Sequence, residues 1–259
     1  MNPTVTVRPV ALVTGAAGVL GRAICERLCR DGMHLVLADL NLAAAQAVAD
    51  NLDRADGQGA LALQVDMGDN ASIAALVEQA GGHYGRIDVV VNNAAVNHRG
   101  SLADFDPALW DHMMAVNLRG PAVLCQQVLP YWKAQMSGRV INMVSRCWVA
   151  GGPPAYVACK AGLVGLTRSL ARELAPYNVT ANAVAPGMLP SAFTQDGRDE
   201  AAFERMAEGA VRVTPLGRLT TPQDVANTTA FLASGDSAFV TAEVIHVCGG
   251  SQLAPFGNL

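Results

Sequence analysis

Short runs of aliphatic residues recur along the chain at 10–13, 35–38, 61–65, 87–91, 140–144, 179–184 and 244–247. Continuous apolar runs of this length suit strands buried on both faces, and the helical stretches between them predict a parallel sheet. Leu20, Ala23, Ile24 and Leu28 fall at helical spacing before Gly32, and Ile73, Leu76, Val77 and Ala80 do so before Gly81. Each glycine is the predicted stop. The pattern therefore predicts an α/β fold, a doubly wound parallel sheet of about seven strands with helices on both faces and right-handed crossovers. The rhythm breaks between about 191 and 214, after Pro186, Gly187 and Pro190, where a short amphipathic segment surrounds Phe203 and Met206. Ligands bind beyond the carboxyl ends of strands in such a sheet, so this stretch is expected to act as a lid.

With 259 residues, 51% of them hydrophobic, a single large domain with a well-filled core is expected. Charged residues make up 15%, the net charge is -4 and no run of Lys and Arg occurs, which argues against nucleic-acid binding. Cys25, Cys29, Cys125, Cys147, Cys159 and Cys248 form no Cys-x-x-Cys pair, so neither a metal site nor a disulfide framework is indicated. The first eight residues lack the basic-then-apolar order of a targeting signal, and no apolar run reaches the ~18 residues of a membrane span. These features predict a cytoplasmic protein with reduced thiols and no membrane partner.

Three groups carry candidate chemistry. Gly15, Gly18, Val19, Leu20 and Gly21 lie in a turn that follows the first strand and opens the first helix, where glycines let backbone N–H groups approach a pyrophosphate. Asp39 ends the second strand, 18 residues after Gly21, and a carboxylate there accepts hydrogen bonds from a ribose diol while repelling a 2'-phosphate. Leu40 and Asn41 follow it without a cation, so NAD is expected rather than NADP. The other reading of Asp39 is a cap for the following helix. Tyr156 and Lys160 stand at i and i+4, on one helix face. A free tyrosine titrates near ~10, and one positive charge roughly 5 Å away at an effective dielectric of about 20 contributes about 3 kcal/mol, enough to bring the phenol toward neutrality.

Taken together, these motifs resemble the short-chain dehydrogenase/reductase family, from about Val10 to Leu253. Asn92-Asn93-Ala94-Ala95, Asn117, Ser145, and Pro186-Gly187 occupy the places expected of that family, as do Pro215-Leu216-Gly217-Arg218 and Val247-Cys248-Gly249-Gly250. The resemblance implies a Rossmann-type fold and hydride exchange between NAD and a secondary alcohol or ketone. It implies that Tyr156 is the general acid-base, that Ser145 hydrogen-bonds the reacting oxygen, and that Lys160 lowers the Tyr156 pKa and holds the nicotinamide ribose. Asn117 would position a water beside Lys160. Asp66 and Met67 would meet the adenine, Asn93 the adenosine-side ribose, and Leu189 and Ser191 the nicotinamide carboxamide, with Leu40, Ala94, Ala95, Pro186 and Gly187 as further cofactor-binding residues.

The chain departs from the family pattern at three points. Val19 fills a position that is usually glycine, the Ser145 to Tyr156 separation of 11 is short, and Cys159 replaces a frequent serine. Val96, His98, Arg146, Trp148, Gly152 and Met188 flank the implied catalytic groups and are the candidate substrate residues. Arg99, Arg146 and Arg198 offer charges to an anionic substrate, or are simply solvated. The partner is a small molecule, and the resemblance implies a homotetramer or homodimer. Other readings are an epimerase or dehydratase using NAD transiently, and a non-catalytic NAD-binding regulator.

Overall fold

In the computed structural model, which describes residues 8–98, 100–195 and 197–253, the aliphatic runs form β1 (Val10–Thr14), β2 (His34–Asp39), β3 (Ala60–Gln64), β4 (Val89–Asn92), β5 (Gly138–Met143), β6 (Val179–Pro186) and β7 (Val244–Val247). They pair in parallel, in the order β3-β2-β1-β4-β5-β6-β7. The helices are α1 (Val19–Arg30), α2 (Leu42–Asp50), α3 (Asn70–Tyr84), α4 (Pro107–Met114), α5 (Gly120–Gln135), α6 (Cys147–Ala150), α7 (Pro154–Leu174), α8 (Ala192–Gln195), α9 (Glu200–Arg212) and α10 (Pro222–Ala233).

Alternate residues of each central strand feed opposite faces. Ala11, Val13, Leu35, Leu37, Val89 and Val91 pack with Ile24 and Leu28 of α1 and with Val225 and Ala230 of α10. Val10, Leu12, Val36 and Val90 pack with Ile73 and Leu76 of α3 and with Leu124 and Val128 of α5. Both faces are covered by helices, so the strands read as unbroken apolar runs, and each fully buried Leu, Ile or Val contributes about 1.5–3 kcal/mol. The architecture is Rossmann-type, and the strand order reverses between β1 and β4. A crevice therefore opens beyond their carboxyl ends.

Some boundaries differ from the sequence reading. Helix α1 ends as predicted, with Gly32 at φ 88° just beyond it. Helix α3 instead passes Gly81 and stops at Gly85, which adopts φ 70°. Gly81 serves a different need: a Cβ there would overlap the Tyr131 hydroxyl of α5. Strand β4 begins at Val89, with Ile87 buried ahead of it. The helical pattern around Asn117 is interrupted by a π-turn, Ala115–Arg119, between α4 and α5. The stretch expected to form a lid contains α8 and α9, with Asp199 capping α9 through the Ala202 N–H at 2.7 Å.

Candidate active site

The turn after β1 is shaped by steric necessity at two glycines. Gly15 has φ 64°, and a Cβ on it would lie 2.9 Å from Ala94 Cα. A Cβ on Gly21 would overlap the Gly15 carbonyl oxygen and come within 2.8 Å of Ala16 Cα. Gly18 is different: its φ is -68°, and the nearest atom to an added Cβ is 3.4 Å away. The chain itself tolerates a side chain at Gly18, so the opening beside it fits a ligand that approaches the backbone. Among the described residues no side chain caps α1, which leaves its first-turn amides to an anion. Val19 is exposed on that turn, while Leu20 packs into the core.

Asp39 faces the same turn. Its carboxylate accepts the N–H groups of Ala17 and Asn41, both at 3.0 Å. The cap of α2 is Asn41, which accepts from Ala44 N–H at 3.1 Å. Asp39 is thus bound to the turn and is not the helix cap. Thr14, at the end of β1, is a hub that sequence reasoning passed over. Its Oγ1 accepts the N–H groups of Asn93 and Ala94 at 3.1 Å, and Asn93 Nδ2 returns donors to the carbonyls of Thr14 and Gly15 at 2.9 and 3.0 Å. Asn93 thereby fixes the glycine turn. Asp66 is exposed and turns its Oδ1 to Gly68 N–H at 2.7 Å, with Met67 buried behind it. Leu40 is exposed beside Asp39, and Ala95 is half-buried next to Ala94.

The catalytic candidates converge at the carboxyl end of β5. Ser145 Oγ accepts Cys147 N–H at 3.4 Å, which leaves its own proton free to be donated. The short spacing to Tyr156 is accommodated by α6 and by Gly151 and Gly152, at φ 82° and 149°. Lys160 is buried and donates to the Met143 carbonyl at 2.7 Å, with Nζ 5.5 Å from the Tyr156 ring centre. The i, i+4 spacing predicts that the ammonium lowers the phenol pKa; the structure differs. Burial holds Tyr156 above its ordinary range, reinforced by the neighbouring Cys147 and Cys159 thiols and opposed by Ser145. Burial also lowers Lys160. At this depth the loss of water is the largest influence on both groups.

A polar chain seats these groups. Asn92 donates to Asn142 and Asn142 to Thr167, both at 2.8 Å, and Thr167 donates to the Leu163 carbonyl at 2.7 Å. Asn117 is wholly buried in the π-turn. Its carboxamide pairs with both main-chain groups of Val96 at 2.8 and 2.9 Å and donates to Cys159 Sγ at 3.3 Å. Phe193 of α8, missed in the sequence, places its ring 6.1 Å from that of Tyr156. The signal for it was only one of two aromatic residues, Phe193 and Phe203, in the irregular stretch.

The substrate candidates are less united. Arg146 and Met188 line one crevice, whereas Trp148 donates to His246 Nε2 at 3.2 Å, stacks on it and packs into the apolar group around Leu163. His98 is exposed, 6.5 Å from His112, and Gly152 is exposed. Arg198 donates to the Thr194 carbonyl at 3.0 Å; Arg99 lies outside the described residues. Pro186 accepts Arg146 N–H at 3.1 Å, and Gly187 N–H bonds the Val247 carbonyl at 3.0 Å. The Leu189 carbonyl and Ser191 both bond Thr194. Among the described residues no group of three His, Cys, Asp or Glu is placed to hold a metal, and no helix is long and apolar enough to cross a membrane.

Residues 15–252 match a family profile described as enoyl-(acyl carrier protein) reductase. The chain is 37% identical to a (2S)-[(R)-hydroxy(phenyl)methyl]succinyl-CoA dehydrogenase subunit of Thauera aromatica, over 94% of this chain and 96% of that one. It is 36% identical to a 3-oxoacyl-[acyl-carrier-protein] reductase of Staphylococcus aureus, over 94% and 98%. The crystal structure of levodione reductase superimposes with a TM-score of 0.90 at 32% identity, covering 95% of this chain and 98% of that one. The glycine turn, the Ser145, Tyr156 and Lys160 cluster and these likenesses lead to one conclusion: the chain belongs to the short-chain dehydrogenase/reductase family of nicotinamide-dependent oxidoreductases.

Proposed function

We propose that this protein is an NAD-dependent dehydrogenase of secondary alcohols, with carbonyl reduction as the reverse reaction. The observation that carries the reading is the convergence of Ser145, Tyr156 and the buried Lys160 beyond β5, in a chain whose α1 amino terminus has no described side chain as its cap. When bound, the dinucleotide supplies the hydride acceptor and donor. The first-turn amides of α1 would hold its pyrophosphate, Asp39 the adenosine ribose, and Lys160 the nicotinamide ribose. Ser145 donates to the reacting oxygen, and Tyr156 takes its proton during oxidation and returns it during reduction. Asn117 positions the Val96 loop and α7 around that proton path. Phe193 supports a lid role for α8 and α9, which would keep water from the reacting carbon.

NAD rather than NADP follows from the Asp39 carboxylate, which stands at the end of β2 with one oxygen drawing the Ala17 N–H of the turn and the other the Asn41 N–H at the start of α2. A 2'-phosphate would meet that charge directly. Asp39→Asn keeps an acceptor for the turn and removes the charge. It is expected to shift the ratio of kcat/KM for NAD over NADP by about tenfold toward NADP, after allowance for solvent screening at this partly exposed site. Steady-state rates with both cofactors check this, and an unchanged ratio removes the ribose assignment.

A further inference from the structure

We propose that His246 is a positioning residue for the reaction: by accepting the indole N–H of Trp148 it fixes the short segment that begins at Ser145, and so sets where the serine hydroxyl meets the reacting oxygen. This rests on the reading above and adds a residue to the same site. His246 interrupts the otherwise aliphatic strand β7, Val244-Ile245-His246-Val247. Its side chain is half-buried, and an imidazole withdrawn from water needs a partner. That partner is Trp148, whose Nε1 lies 3.2 Å from His246 Nε2 with the two rings inclined at 23°. An indole nitrogen can only donate, so Nε2 accepts and the imidazole carries its proton on Nδ1.

The segment after Ser145 needs such a tether. Up to Arg146 the main chain is tied to β6, by the Val144 N–H on the Val184 carbonyl at 2.9 Å and the Arg146 N–H on the Pro186 carbonyl at 3.1 Å. Past Arg146 the described main-chain bonds turn inward. The Trp148 N–H bonds the Ser145 carbonyl at 3.2 Å, those of Val149 and Ala150 bond the Arg146 carbonyl at 3.1 Å, and that of Gly151 bonds the Cys147 carbonyl at 2.8 Å. Helix α6 is four residues long, has no side-chain cap among the described residues, and runs into Gly151 and Gly152 at φ 82° and 149°. A single turn that ends in two glycines does not hold its own orientation.

Trp148 supplies the anchor. Its ring packs on the apolar group of Val144, Leu163 and Ala183, which sets its depth, while the bond to His246 sets its direction, because a hydrogen bond is directional where apolar contact is not. His246 itself stands on firm ground. It pairs with Ala185 of β6, one residue before the Pro186 carbonyl that holds Arg146, so neighbouring points of the β6–β7 pair grip the segment at Arg146 and at Trp148. Ser145 is tied to the same turn twice, by its carbonyl to Trp148 N–H and by its Oγ to Cys147 N–H at 3.4 Å. A swing of α6 is therefore passed to the serine hydroxyl, and a displacement of about 1 Å can cost about a hundredfold in rate. The long bond from Arg146 Nη1 to the Ser251 carbonyl, at 3.4 Å, restrains part of that swing, so the expected loss is smaller.

The test screens a panel of secondary alcohols with wild-type protein and NAD, then compares single-turnover NADH formation from the best of them across variants. His246→Leu and Trp148→Phe are each expected to slow hydride transfer by about tenfold, with KM for the alcohol and affinity for NAD within about threefold of wild type. The two substitutions together are expected to cost about tenfold again rather than about a hundredfold, because both remove one bond. His246→Gln, which offers the indole N–H an oxygen in place of Nε2, is expected to stay within about threefold of wild type. Trp148→Phe leaves β7 untouched and reads the same bond if His246→Leu does not fold. A wild-type rate in His246→Leu or in Trp148→Phe, losses that multiply in the pair, or a His246→Gln as slow as His246→Leu overturns the assignment to His246. A wild type that makes NADH from none of the alcohols overturns the dehydrogenase reading itself.

Discussion

Tyr156→Phe is expected to slow alcohol oxidation by about a thousandfold in single-turnover NADH absorbance while leaving NADH affinity and thermal stability nearly unchanged. The substitution removes one hydroxyl and keeps the ring, whose centre lies 6.1 Å from that of Phe193 and 5.5 Å from Lys160 Nζ. Packing is therefore conserved, and what is lost is the atom that exchanges the proton.

The pH profile gives the sign of the effect. Burial holds the phenol above its ordinary range, so the ionised form that accepts a proton grows as pH rises, and oxidation should accelerate with it. Carbonyl reduction uses the neutral phenol and should weaken over the same interval. In Tyr156→Phe both slopes should vanish. Retention of more than about a tenth of the wild-type rate would assign the proton transfer to another group.

Gly21→Val is expected to destabilise the fold by about 3 kcal/mol and to abolish measurable dinucleotide binding. The new Cβ would collide with the Gly15 carbonyl oxygen and lie 2.8 Å from Ala16 Cα. Both obstacles are backbone, and Asn93 and Asp39 clamp that backbone from two sides, so neither can give way. Gly18→Ala separates the two effects. An alanine Cβ at that position has only Gly15 O at 3.4 Å, so stability should change by less than about 1 kcal/mol. NADH affinity, read by tryptophan fluorescence, should nevertheless fall at least about tenfold if the space beside Gly18 is where the pyrophosphate comes close. Unchanged affinity in Gly18→Ala would place the dinucleotide elsewhere.

The strands were legible because both faces of the sheet are covered, so Val89, Val90 and Val91 read as apolar without interruption. The glycine turn was legible because close backbone approaches leave no chemical alternative at Gly15 and Gly21. Periodicity could not reveal the π-turn at Asn117, since one residue of slippage barely disturbs a helical pattern. Nor could it foresee Gly81, whose role depends on Tyr131 of another helix. Long-range pairings were equally hidden. Trp148 lies 98 residues from His246, and Thr14 is 79 from Asn93. The electrostatics of Tyr156 went astray for a related reason: a spacing of four reports proximity to Lys160 and says nothing of how deeply both groups are withdrawn from water.

The most direct test of net hydride transfer follows a label. A secondary alcohol that supports turnover is prepared with deuterium on its carbinol carbon and incubated with wild-type protein and excess NAD, and the released cofactor is weighed by mass spectrometry. One deuterium should appear on the nicotinamide of each NADH released, in proportion to the ketone formed. Ketone-free turnover, with the deuterium returned to the substrate or passed to solvent and no NADH accumulating, would contradict a dehydrogenase and point to transient use of bound cofactor.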